Sequence, residues 1–155
     1  MSHMSDTSLS EREWALWRSF ALMSRQLWNR VEQRLQAQAG ISAPDFEILH
    51  ALSTAPDRRA RVGALGEMLV WEKSRISHQV SRMERRGMVA RVECAEDLRG
   101  TWVALTDEGE RLLEPALEVF AAAIREAYLD RLSPDIAPQF AATMMRVVMA
   151  TDPTA

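Results

Sequence analysis

A single cysteine, Cys94, occurs in the 155 residues. An internal disulfide is therefore impossible, and a cysteine-rich zinc site is equally excluded. Both absences fit a reducing cytoplasm, which is the expected location. Cys94 itself reads as a small strand residue rather than a thiol sensor. No run of about 18 apolar residues is present, so no membrane-spanning helix is expected. No charged start followed by an apolar core marks a secretory signal. The three histidines, His3, His50 and His78, show no His-x-x-x-His spacing, so a zinc site is not expected. Gly63 and Gly66 are too sparse for a phosphate-binding loop. The Ser and His side chains of residues 74–81 lack an orienting acid in a pocket, as a nucleophile would need. No catalytic constellation emerges, and the chain is expected to be no enzyme and to carry no cofactor.

What is present is ordinary globular composition, 47% apolar and 26% charged, in a length suited to one domain. Met1-Ser2-His3-Met4 reads as a tag remnant before a second start, and residues 1–9 are expected to be disordered. Residues 151–155 are expected to fray. The formal charge of −3 hides an asymmetry. Between Arg58 and Trp102 stand ten Lys/Arg (58, 59, 61, 73, 75, 82, 85, 86, 91, 99) against six acids (67, 72, 84, 93, 96, 97). A basic middle between acidic ends is the pattern of a chain whose one face meets phosphates.

The hydrophobic period divides the chain into elements. From Ser10 to Ala39, Trp14, Trp17, Ala21, Trp28, Val31 and Leu35 recur at helical steps beside a second stripe of Leu16, Phe20, Met23 and Leu27. Gly40 stops this helix. Ser42 caps a second helix with Pro44 and Asp45 in its first turn, and Phe46, Leu49 and Leu52 as its core positions. A loop carrying Arg58, Arg59 and Arg61 leads to a short helix over 62–69. A turn follows, and then a helix over 72–86 closed by Gly87. The period changes to two over 89–93 and again over 102–105, with a turn at 95–100, which predicts a two-stranded hairpin. Thr106 caps a long helix, and Ser133-Pro134 is expected to start a last one. The fold class is mostly α, a winged helix-turn-helix over 42–106 flanked by terminal helices at 10–39 and 107–150. Those broad apolar terminal faces exceed what one chain can cover, so a homodimer interface is expected there.

The helix at 72–86 carries the functional signal. Ile76, Val80 and Met83 form one apolar stripe. Away from it stand Ser74, His78, Ser81 and Arg85, flanked by Arg75 and Arg82, with no acid among these six. Guanidinium forks can bond guanine edges, and hydroxyl and imidazole groups can reach bases or phosphates, whereas a merely solvated face normally mixes signs. Lys73 and Ser77 join the same candidate set. At the hairpin tip, Arg99-Gly100 could enter a minor groove, with Asp97 orienting the arginine.

The run Ser74-Arg-Ile-Ser-His-Gln-Val-Ser-Arg-Met-Glu-Arg-Arg-Gly-Met-Val89, followed by Asp97-Leu-Arg-Gly-Thr-Trp-Val-Ala-Leu-Thr106, resembles the multiple antibiotic resistance regulator (MarR) family. The likeness rests on Arg86-Gly87-Met88, on the Asp97-x-Arg99 wing and on Val103-x-Leu105-Thr106, and it extends over about residues 10–150. It implies a triangular homodimer with interlocked terminal helices, recognition helices in successive major grooves of a pseudo-palindromic operator, and wings in the adjacent minor grooves. It also implies control of a gene, relieved by a small aromatic or phenolic ligand bound where the first two helices meet the fifth. Trp17, Trp28, Phe46 and His50 are the candidate lining; the same rings also suit core or dimer contacts. Two departures stand out. Val70-Trp71 fills a turn that often carries Gly, and Glu72 holds the N-cap where Ser, Thr, Asp or Asn is preferred. The competing reading is a winged-helix module whose basic face binds an acidic protein partner without reading sequence.

Overall fold

The computed structural model describes residues 8–94 and 97–152, with side chains except at 94 and 97–100. Its order is α1 (Glu11–Ala39), α2 (Ala43–Thr54), β1 (Arg59–Arg61), α3 (Val62–Leu69), α4 (Lys73–Arg85), β2 (Val89–Cys94), β3 (Asp97–Leu105), α5 (Asp107–Ala127) and α6 (Ala137–Thr151). Among the described residues no helix is long and apolar enough to cross a membrane.

Capping chemistry sets the helix starts. Ser10 with Glu13 and Ser42 with Asp45 each form a reciprocal box, the serine side chain accepting from the backbone three residues on and the acid accepting from the serine N–H. Gly40 closes α1 in the left-handed region at φ +69°. Thr106 Oγ accepts from Gly109 N at 3.0 Å and donates to Gly87 O at 2.6 Å, which ties the start of α5 to the turn after α4. A β-carbon at Gly109 would lie 2.1 Å from Met88 O, so only glycine lets α5 approach this closely.

The core is the winged-helix lobe itself. Ile48, Leu49 and Leu52 of α2, Leu65 of α3, and Ile76, Val80 and Met83 of α4 are sealed together with Met88, Val89 and Val103. Val31 and Leu35 near the end of α1 meet Leu113, Ala116 and Ala123 of α5 in the same cluster. By contrast, no described residue before Val31 is buried, nor is any residue of α6. Trp14, Trp17, Phe20, Leu22 and Trp28 on α1 and Met145, Val147 and Val148 on α6 stand exposed.

Three expectations need correction. The segment read as a loop at 59–61 is a strand, and it pairs antiparallel with β3 (Arg59 opposite Ala104, Arg61 opposite Trp102), so the sheet has three strands in the order β1-β3-β2. Three residues are too few for a period to show in sequence. The stretch 97–100, read as turn, already belongs to β3, with Cys94 opposite Asp97. The last helix starts at Ala137 with Pro138 in its first turn. Ser133 instead accepts backbone bonds from Ile136 and Ala137 through its carbonyl, so Ser133-Pro134 opens a turn before the helix rather than the helix.

Candidate nucleic-acid interface

Helix α4 is held on three sides, and its free side is the candidate reading face. Ile76, Val80 and Met83 are fully buried. Lys73, Ser74, Arg75, His78, Arg82 and Arg85 are exposed. The Arg75 guanidinium lies 3.7 Å from the centre of the Trp71 ring, a cation–π contact that fixes the arginine at the start of the helix. Glu47 on α2 is half-buried. Loss of hydration pushes its carboxyl up from the usual range, and the nearby charge of Arg75 only partly offsets this. Glu72 caps α4 without a side-chain bond. The turn before it contains Val70 in the left-handed region, φ +54°, where the sequence departs from glycine.

On the side toward the wing, Ser77 and Ser81 are half-buried. Ser81 Oγ donates to Ser77 O at 2.9 Å and accepts from Arg91 Nη2 at 2.9 Å. Arg91 also pairs with Glu84, whose carboxyl is held below the usual range chiefly by a backbone bond from Arg91 N. The one acid in the second half of α4 is thus paired along the helix edge, and Arg91 of β2 joins the interface, a residue that local pattern did not single out.

On the opposite side a polar relay runs into the core. Asp45 is 1% exposed and Gln79 4%. Asp45 Oδ2 accepts from Arg86 Nη1 at 2.7 Å and from Ser42 N at 3.0 Å, and Asp45 Oδ1 accepts from Gln79 Nε2 at 2.7 Å. Gln79 Oε1 in turn accepts from Arg82 Nη2, and Arg86 Nη2 reaches Gly40 O at 3.4 Å. A groove of about 570 Å³ opens beside this relay between the end of α1, the start of α2 and α4. The relay joins residues 34 and 41 positions apart in sequence, beyond the reach of periodicity.

The wing is present as β2 and β3. The Asp97, Arg99 and Gly100 side-chain readings lie outside the described residues. At the root of the wing, Arg59 and Arg61 stand 5.4 and 5.3 Å from the centre of the Trp102 ring.

The aromatic residues proposed for a ligand line neither the groove beside the relay nor the groove between α1 and α5. Phe46 is buried and stacks on Phe120 of α5 at 4.5 Å and on the exposed His50 ring at 5.8 Å. Trp17 and Trp28 stand exposed on α1, eleven residues and so roughly 16 Å apart. A separate groove of about 520 Å³ lies between α1 and the end of α5, with Leu22, Met23, Arg30, Tyr128 and Arg131 among its walls.

Comparison with known proteins gives the same outline. The MarR family model matches residues 39–100. The transcriptional regulator HosA of Escherichia coli is 33% identical over 110 residues, which cover 70% of this chain and 79% of HosA. A MarR family transcriptional regulator of Streptomyces coelicolor, solved in complex with DNA, superposes with a TM-score of 0.89 at 32% identity, over 94% of this chain and 92% of that one. The regulator AbsC of the same organism gives 0.87 at 29% identity, over 92% and 96% of the two chains.

Proposed function

The chain belongs to the MarR family of transcriptional regulators, which are not enzymes, and from that premise we propose that it acts as a homodimeric, sequence-specific repressor in the cytoplasm that reads a pseudo-palindromic operator with α4. The observation that carries this reading is the outward face of α4. Lys73, Ser74, Arg75, His78, Arg82 and Arg85 are exposed there while Glu84 is tied to Arg91. Two such faces related by a dimer axis fit half-sites about one helical turn, roughly 10 base pairs, apart. Ser77 stands at the edge toward the wing and so suits a phosphate contact better than a base edge, whereas the Ser81 hydroxyl is already held between Ser77 O and Arg91. Arg99 and Gly100 at the wing, oriented by Asp97, add a minor-groove contact that reads groove width.

Release of the DNA is assigned to a small aromatic or phenolic effector. The exposed His50 ring, backed by the buried Phe46–Phe120 stack, offers a planar surface with one polar handle at the α2–α5 contact. The separation of Trp17 and Trp28 means that a ligand of phenol size meets at most one of them from a given protomer.

Selection from a random 30-base-pair duplex pool, followed by competition titrations at several salt concentrations, tests the DNA reading. Arg82→Ala should relax preference at one position in each half-site and cost about 1–3 kcal/mol. Arg99→Ala should weaken all duplexes nearly alike and flatten the salt dependence. If the parent protein enriches no motif, sequence-specific recognition fails, and an acidic protein partner becomes the better reading of the basic face.

A further inference from the structure

The buried relay beside α4 has a hydrogen-bond polarity that admits one arrangement. A carboxylate only accepts, a guanidinium only donates, and a primary amide does one at each end. Asp45 is the acceptor at the inner end. Gln79 must therefore turn Nε2 inward to Asp45 and present Oε1 outward. The outer end meets Arg82, which supplies the donor that Oε1 requires. Reversing the amide would set oxygen against carboxylate and N–H against guanidinium, so the amide is locked. Asp45 is locked as well, because Ser42 N and Arg86 Nη1 occupy its second oxygen. The Arg82 guanidinium thus has one Nη committed to a group that is itself almost fully buried, and its remaining N–H donors point from a fixed origin.

We propose that Asp45 and Gln79 are positioning residues for base readout: through Gln79, a buried carboxylate on α2 fixes the Arg82 guanidinium and so sets the base that Arg82 selects, without either residue touching DNA. This rests on Arg82 being a base reader, as assigned above. An arginine free on a helix surface samples many rotamers and loses that freedom on binding. One held in a fixed fork meets guanine O6 and N7 bidentately only at one register, and geometry of that kind discriminates between bases rather than merely adding affinity.

The test uses the whole 155-residue chain and the random duplex pool. Gln79→Met keeps the volume of the side chain and leaves the Ser42–Asp45 cap and the Asp45–Arg86 pair in place while cutting the link to Arg82. The parent, Gln79→Met, Arg82→Ala and the double variant are each put through selection, and the preference at every position is compared. Thermal melting is recorded alongside. The expected result is that Gln79→Met relaxes the same half-site position as Arg82→Ala, by about tenfold, and leaves the other positions unchanged. The double variant should be no worse than Arg82→Ala at that position, since both act on one guanidinium. Asp45→Asn, whose amide permits the reversed arrangement, should relax that position too, and it carries the test if Gln79→Met does not fold. The proposal is overturned if a folded Gln79→Met or Asp45→Asn protein selects the parental motif. It is overturned equally if either weakens all duplexes alike, because a purely structural role would act evenly. A parent that selects no motif would instead overturn the DNA reading on which the proposal stands.

Discussion

Val70 shows how a single residue can be set against its own backbone. It occupies φ +54°, ψ +43° in the turn between α3 and α4, and it is 88% exposed. A β-branched side chain there clashes with its own carbonyl at a cost of about 1–2 kcal/mol. Almost none of that is returned by packing. Val70→Gly should therefore stabilise the fold by roughly 0.5–1 kcal/mol, the relief being partly offset by the entropy of glycine in the unfolded chain. A chemical denaturation midpoint that falls on this substitution would contradict the strain argument. The sequence already marked the position, since a turn of this kind favours glycine. It could not show that the helix geometry forces the left-handed region on valine rather than avoiding it.

Element by element, the terms that local pattern controls were legible, and those that depend on distant partners were not. The Ile76-Val80-Met83 stripe and the caps at Ser42 and Thr106 follow from spacing and side-chain chemistry alone. Strand β1 exists because β3 offers it a ladder, which no property of Arg59-Ala60-Arg61 announces. Asp45 looked like an ordinary first-turn acid tied to its own cap at Ser42, and only the approach of α4 adds Gln79 and Arg86. Glu47, two residues on, shows the opposite case at the same α2–α4 contact. Burial raises its folded pKa, so the native state binds a proton more readily than the unfolded chain. Stability contributed by this group is then lost as pH rises from the unfolded carboxylate range through the raised folded value. Glu47→Gln should accordingly raise the melting temperature at pH 7, and the difference should shrink below about pH 4. An equal or lower melting temperature at pH 7 would show that the charge of Arg75 outweighs the loss of hydration.

For the molecule as a whole, the unburied apolar surface is the dominant fact. Helix α1 presents Trp14, Trp17, Phe20 and Trp28 to solvent in the protomer, and α6 presents Met145, Val147 and Val148. The proposed dimer places these two regions against their symmetry equivalents. Folding and association are then one transition, and the melting temperature should climb with protein concentration. Removing residues 1–30 should leave aggregated or unfolded protein. A concentration-independent melting temperature together with a monomer mass by light scattering would refute the dimer.

None of the first twenty residues of α1 is fully buried in the protomer, and this has a consequence for dosage. If this helix is covered by a second chain, as in the proposed dimer, the DNA-binding population grows with the square of chain concentration while chains are scarce. Below the dissociation constant, halving the concentration would remove about three-quarters of the proposed dimer by mass action. In that proposed dimer, growth during a pause in synthesis dilutes the chains, and occupancy of the operator should fall more sharply than the protein level itself.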